Sequence, residues 1–281
     1  MVETMEKHKM KKKQKLILLP GWSMDSRVWC KAIPLLSEDY EVYSCDWYGL
    51  KSVEDYYQRA FSLIHEKVAP QESFSLLGWS LGSLLAIQFA FHYKAAQSQS
   101  QFQDLPQLPS HPRSQLQQII LVSGTSRFTR DRKSKYNCGL PPQIVEKMKR
   151  ALTQDKEKCL HNFYISMFSE VEKEQGYDQQ FMEENQINAE HYDLGTLLAG
   201  LDLLLQEDLR HVLPTLSTPL MLIQGDQDTV CPESAAAYIA THWKGPVVFH
   251  SLEGAGHMPF YTRPEDFVTV IKRHALKENH D

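Results

Sequence analysis

The stretch Leu76-Leu77-Gly78-Trp79-Ser80-Leu81-Gly82 sets the tightest limit on what this chain can fold into. An apolar run enters it, and a second, helix-like run, Ser83 to Ala90, leaves it. That pattern describes a strand that turns abruptly into a helix and lifts the central serine out at the strand's carboxyl end. So sharp a turn holds its central residue in a strained conformation and leaves little room for neighbouring side chains, a need the two glycines meet. Gly-x-Ser-x-Gly alone also occurs in ordinary loops. The strand before it and the helix after it make Ser80 a candidate nucleophile rather than a helix-capping serine.

The rest of the chain supplies matching strands. Leu16 to Leu19 is a continuous apolar run stopped by Pro20-Gly21, as expected of a buried parallel strand. A helix is expected from Arg27 to Leu36, a strand over Glu41 to Cys45, and a helix from Val53 to Val68 that stops before Pro70. Phe74 to Leu77 feeds the serine turn, and Ile119 to Val122 resumes the sheet. From Thr125 to about residue 205 strand patterns vanish. Helical spacing recurs after Pro141-Pro142, over Cys159 to Phe168 and over Leu194 to Leu205. Strands return at Leu220 to Ile223 and Val247 to Phe249, with helices over Glu233 to His242 and Pro264 to Leu276. Strands alternating with helices imply an α/β fold, a mostly parallel sheet with helices on both faces.

The expected organisation is a flexible tail over 1–14, a core made of 15–125 and 206–281, and a helical cap over 126–205. Ala95 to Gln118, rich in Gln, Ser and Pro, reads as an exposed insertion at about 96–118. The chain has 281 residues, 42% of them hydrophobic, enough for one large core. Its net charge of -5 gives no sign of nucleic-acid binding. The lysine-rich start is followed by too short an apolar run for a signal peptide, and no run is long enough to span a membrane. Five scattered cysteines without CxxC spacing read as reduced thiols, so the expectation is a cytoplasmic protein with no stable membrane association. No metal-ligand spacing or phosphate-binding loop is present, and no cofactor is expected.

A serine hydroxyl needs a base, and the base needs an acid to orient it. After a strand-borne serine of this kind the acid and then the histidine follow in chain order. Gly225-Asp226-Gln227-Asp228-Thr229-Val230-Cys231-Pro232 follows one strand, and Gly254-Ala255-Gly256-His257 follows the last. Among twelve histidines His257 alone has the loop, the small neighbours and the position after the final strand. His161 and His191 fall in the helical insertion, where they could line a pocket. Asp226 and Asp228 compete for the acid; spacing favours Asp228 and leaves Asp226 to bond the turn's backbone. The negative oxygen of a tetrahedral intermediate would be met by the N–H of Leu81 and by that of Trp22.

These residues resemble a known family. Leu18 to Trp29, Gly78 to Ser83, Gly225 to Pro232 and Gly254 to Phe260 are similar to α/β-hydrolases, especially the pimeloyl-acyl-carrier-protein methyl ester carboxylesterases of biotin synthesis. The resemblance implies the α/β-hydrolase fold, with a helical cap inserted before the acid-bearing strand. It places nucleophile, acid and base on Ser80, Asp228 and His257, and the oxyanion donors on Trp22 and Leu81. It puts acyl-chain contacts near Phe163 to Met167, beside Trp22, Leu81 and His257. The implied substrate is an acyl ester, possibly held by acyl carrier protein. That carrier is acidic, so Arg127, Arg130, Arg132 and Lys133, with Lys135, Lys147, Lys149 and Arg150, would form its docking surface; a merely solvated charged face is the alternative. The same triad also serves C–C bond hydrolases and a lyase of menaquinone synthesis. A non-catalytic binding protein is the remaining alternative. Epoxide hydrolysis and dehalogenation do not fit, because they use an aspartate where Ser80 stands.

Overall fold

The computed structural model describes residues 13–97 and 114–277. The tail through residue 12 and the glutamine-rich 98–113, with His8, His111 and His280, lie outside them. Six strands form one sheet: β1 (Gln14–Leu19), β2 (Tyr40–Ser44), β3 (Ser73–Trp79), β4 (Gln115–Val122), β5 (Leu220–Gly225) and β6 (Val247–Leu252). Their order is β2-β1-β3-β4-β5-β6, and every neighbouring pair is parallel. Leu16 to Leu19, Leu76, Leu77, Ile119 to Val122 and Leu220 to Ile223 are buried, as strands covered on both faces require.

Helices α1 (Ile33–Leu36), α2 (Val53–Lys67) and α3 (Leu81–Gln97) connect the first strands. Five more, α4 (Pro142–Gln154), α5 (Lys156–Ser166), α6 (Glu170–Glu174), α7 (Tyr177–His191) and α8 (Leu194–Gln206), lie between β4 and β5. Helix α9 (Glu233–His242) joins β5 to β6, and α10 (Pro259–Thr262) and α11 (Pro264–Lys277) follow. The chain runs from β1 outward to β2 and then back past β1 to β3. Right-handed crossovers therefore put α1 on one face and α2 and α3 on the other. Accordingly α1 contacts α11, whereas α2 contacts α3. The reversal lies between β1 and β3, and their carboxyl ends form the crevice in which an open α/β sheet binds its ligands.

Three local expectations change. The single helix expected over Arg27 to Leu36 is a 3-10 turn, Ser26–Trp29, followed by α1. Pro34 explains the break, since its ring would clash with the carbonyl four residues earlier and it has no N–H to give. The exposed insertion expected from Ala95 to Gln118 is shorter at both ends. Helix α3 continues to Gln97, and β4 starts at Gln115, where Ser73 pairs with Gln115 and Phe74 with Leu116. The first half of β4 is only partly covered, so glutamines are tolerated there and no apolar alternation marks the strand. Helices α6 and α7 had no expectation: α6 is a single short turn, and α7 is polar along most of its length. Among the described residues no helix is long and apolar enough to cross a membrane.

Candidate active site

Ser80 stands between the last residue of β3 and the first of α3, with φ at 53°. A Cβ on Gly78 would come 2.4 Å from Gly82 O, and one on Gly82 would come 2.0 Å from Leu19 O. Only glycine fits either position, and the second contact brings α3 against the end of β1. Ser83 ties the turn further: its Oγ donates to Ser80 O (2.5 Å) and accepts from Thr125 N (3.0 Å). The loop after β1 is equally close, since a Cβ on Gly21 would lie 3.0 Å from the Trp79 ring and 3.2 Å from Ser80 Cβ. Trp22 thus follows a glycine packed so close to Ser80 that a Cβ there would crowd the serine's own Cβ. Leu81 N lies at the first position of α3, where a helix has no acceptor of its own to offer.

Across the sheet edge, His257 Nδ1 bonds Asp228 Oδ2 at 2.7 Å. Both side chains are buried, at 1% and 0% exposure. The Asp228 carboxylate is held at every lone pair that matters. Oδ1 accepts from Val230 N (2.8 Å) and Cys231 N (2.9 Å), and Oδ2 also accepts from Gln224 Nε2 (3.1 Å). Three donors besides the imidazole therefore fix its plane. Asp226 does not reach the histidine side chain. Its Oδ1 accepts from Gly254 N at 2.6 Å, so it bonds the histidine loop rather than its own turn.

The backbone of His257 is pinned on both sides. Its N–H donates to Met167 O (2.7 Å), and its carbonyl accepts from Trp79 Nε1 (2.9 Å). The Trp79 and His257 rings lie 5.4 Å apart, so the imidazole sits beside the residue preceding Ser80. The link from Ser80 Oγ to His257 Nε2 is open. Among the described residues Nε2 is buried without a hydrogen-bond partner. Burial pushes the Cys231 thiol well above its ordinary value, the Asp228 charge adds to this, and a Ser80 hydrogen bond opposes both. The serine hydroxyl therefore lies beside an un-ionised thiol. A catalytic hydrogen bond that is long in the empty enzyme commonly tightens with substrate.

The other candidate residues are placed as follows. The Trp22 indole is buried, donates from Nε1 to Leu197 O of α8 (2.8 Å), and packs edge-on against Phe163 of α5 (5.0 Å between centroids). Met167 is buried and meets His257 through its carbonyl. His161 is exposed on α5. Arg127 is half-buried and engaged inside the protein: it pairs with Asp208 and donates from Nε to Thr129 O (3.0 Å). Lys149 likewise pairs with Asp202 at 2.5 Å. Arg130, Arg132, Lys133, Lys135, Lys147 and Arg150 are exposed. Sequence reasoning did not find Trp79, Gln224 or the Met167 carbonyl as supports. Only the spacing of Gln224, four before Asp228 at the end of a buried strand, carried a hint.

A serine on a strained turn, a buried carboxylate–imidazole pair and two candidate amide donors on one sheet edge make a recognisable arrangement. The alpha/beta hydrolase family model matches residues 16–270. The chain belongs to the α/β-hydrolase family. Among curated relatives it is similar to the pimeloyl-[acyl-carrier protein] methyl ester esterase of Yersinia pseudotuberculosis serotype IB (strain PB1/+). Identity there is 27% over 261 residues, covering 91% of each chain. The enzyme of the same description from Nitrosomonas europaea is 28% identical over 260 residues, covering 91% of this chain and 93% of the relative. Among solved structures, an esterase from Exiguobacterium antarcticum superposes with a TM-score of 0.75 at 20% identity, covering 93% of this chain and 91% of the other. A Bacillus anthracis bromoperoxidase gives 0.78 at 16%, covering 92% and 91%. At such identities these two structures speak for the α/β-hydrolase fold alone.

Proposed function

We propose that this α/β-hydrolase is a serine carboxylesterase that removes the methyl ester from a pimeloyl chain carried by acyl carrier protein. The chain is a carboxylic ester hydrolase, and we propose the triad, the acyl group and the carrier. The observation that carries it is the buried 2.7 Å bond from His257 to Asp228, beside a serine held at positive φ.

In the mechanism, Asp228 accepts the Nδ1 proton of His257 in a hydrogen bond and so leaves Nε2 as the acceptor. Nε2 takes the proton of Ser80 as Oγ attacks the ester carbonyl carbon. The carbonyl oxygen becomes an oxyanion and is met by the N–H groups of Leu81 and Trp22; one such donor contributes about 3 kcal/mol in other serine hydrolases. As the carbonyl reforms, the C–O bond to the alcohol breaks, and His257 returns the proton to the leaving alkoxide. Water then attacks the acyl-enzyme with His257 again as base. The acid is released and Ser80 regains its proton. The relatives' descriptions supply the acyl group and the carrier. The exposed cations Arg130, Arg132 and Lys133 supply a surface of the sign an acidic carrier needs. Arg127 drops out of that surface, because Asp208 and Thr129 occupy it. A cytoplasmic location suits this substrate.

The test is hydrolysis of short p-nitrophenyl esters and of pimeloyl-carrier methyl ester, with Ser80→Ala as control. Both substrates are turned over by the wild type and neither by the variant. Activity surviving in the variant rejects the serine mechanism. An inert wild type moves the reading to a lyase, a C–C hydrolase or a binding protein. Growth of a biotin auxotroph lacking its own methyl ester esterase is the cellular equivalent.

A further inference from the structure

The segment from Ser166 to Glu172, where α5 passes into α6, is bonded to both loops that carry the proposed acid and base. Thr229 Oγ1 donates to Ser166 O at 3.3 Å. Ser169 Oγ donates to Gly254 O at 2.8 Å. At the centre lies Glu172, 2% exposed and without a positive partner in any ion pair among the described residues. Its Oε2 accepts from Ser169 N (2.9 Å) and Gly256 N (3.0 Å), and its Oε1 accepts from Thr262 Oγ1 (2.6 Å). One carboxylate thereby joins three places: its own helix start, the residue before His257, and α10 just beyond it. The next amide along, His257 N, goes to Met167 O of the same segment. Gly256 is what allows this approach. A Cβ there would stand 2.5 Å from Met167 O, 2.6 Å from Glu172 Oε2 and 2.8 Å from Ser169 N.

A buried carboxylate loses its hydration, and three hydrogen bonds offset only part of that cost. If the sole task were to start the short helix α6, a solvent-exposed capping box would serve as well. Here instead the charge is placed where it holds the Gly256 amide of the histidine loop, and the next amide, His257 N, is held by Met167 O of the same segment. We infer that Glu172 is a positioning residue for His257, and that the helical insertion sets the imidazole's place relative to Ser80. This rests on the serine-esterase reading for its catalytic consequence. The geometric part stands apart from it.

The design of the site separates geometry from charge. In Glu172→Gln the amide oxygen still accepts from Ser169 N and Gly256 N, and Nε2 can donate to Thr262 Oγ1, a hydroxyl that accepts as readily as it donates. In Glu172→Ala both backbone amides lose their acceptor and the loop is free to shift. A misplacement near 1 Å lowers turnover by about 10²-fold. The experiment measures kcat and KM of the full-length protein on a p-nitrophenyl ester, with the downfield NMR signal of the His257 imidazole proton shared with Asp228. The expected result is a loss of about 10²-fold in kcat for Glu172→Ala with KM little changed, a weakened or shifted downfield signal, and recovery of both in Glu172→Gln. A Glu172→Ala protein with lowered thermal stability but unaltered kcat and an unaltered downfield signal overturns the inference, leaving only a structural cap. Should that variant not fold, Thr262→Val removes one donor only. A partial fall in kcat is then expected, and none refutes the proposal. An inert wild type rejects the esterase reading, while the downfield signal in the same variants still decides the positioning role.

Discussion

Replacing Asp228 by Asn tests the proposed proton relay at its most constrained point. The side chain keeps its shape but has one oxygen where it had two. Two orientations are open. With the amide nitrogen at the Oδ1 position, the N–H groups of Val230 and Cys231 would face a donor and lose their acceptors. Two stranded amides cost about 1–3 kcal/mol each. With the nitrogen at the Oδ2 position, only Gln224 and His257 are opposed. Gln224 loses one bond only, because its Nε2 also donates to Cys231 O (2.9 Å) and Gly225 O (3.3 Å). His257 can move its proton from Nδ1 to Nε2. The second orientation is therefore the cheaper one, and it leaves a donor where Ser80 needs an acceptor. An inverted tautomer of this kind lowers kcat about 10⁴-fold in a serine protease, about 5.5 kcal/mol in barrier. The assay is steady-state hydrolysis of a p-nitrophenyl ester near neutral pH, with thermal unfolding run beside it. The expected result is a fall of that order with the fold retained. Asp226→Asn keeps an oxygen for Gly254 N and stays near wild type. If Asp228→Asn retains activity within about tenfold, the tautomer argument is wrong. If instead Asp226→Asn is the inactive variant, the acid has been assigned to the wrong carboxylate.

Two further outcomes follow from charges away from the triad. Changing Arg130, Arg132 and Lys133 together to Glu should raise KM for the carrier-bound methyl ester and leave KM for a p-nitrophenyl ester unchanged. The difference should shrink as salt rises, because exposed charges are screened within about 10 Å at 0.1 M; equal effects on both substrates would refute docking at that turn. Burial pushes the Asp208 carboxyl up, but hydrogen bonds and charges from Arg210 and Arg127 outweigh it and hold the group down at about 2. A depressed carboxyl stabilises the fold fully above its ordinary value, about 4, and loses that contribution as pH falls through the folded value. The melting-temperature gap between wild type and Asp208→Asn should therefore be constant at neutral pH and close between about pH 4 and pH 2; a gap that persists to the acid end would contradict the assignment.

The elements most legible in the sequence were those whose residues announce a local necessity. Gly78, Ser80 and Gly82 had to mark a sharp strand-to-helix turn, because nothing larger fits, and the apolar runs at residues 16, 76, 119 and 220 had to be buried strands. Helix α9 was readable to the residue, starting just after Pro232. The sequence was less informative where solvent relaxes the pattern. The half-covered start of β4 looks like low-complexity loop, and α7 lacks an apolar stripe strong enough to stand out from a polar linker. For Asp226 against Asp228 it offered only spacing. The burial of one, and the four hydrogen bonds converging on it, are properties of the folded loop.

What lay furthest from the sequence was the way backbone groups hold the histidine loop. Gly254 N goes to Asp226, Gly254 O to Ser169, Ala255 O to Gln227 N, Gly256 N to Glu172, His257 N to Met167 and His257 O to Trp79. These partners come from β3, from the turn after β5 and from the helical insertion, and backbone groups carry no sequence signal of their own. Yet the consequence is readable afterwards. Small residues at 254–256 are needed because the loop is gripped from three directions, and Gly225 is needed because a Cβ there would stand 2.1 Å from Gly256 O. A loop this fully bonded has little freedom to carry its imidazole elsewhere. In the proposed relay the remaining link is then the one from the Ser80 hydroxyl to His257 Nε2, which has no partner among the described residues.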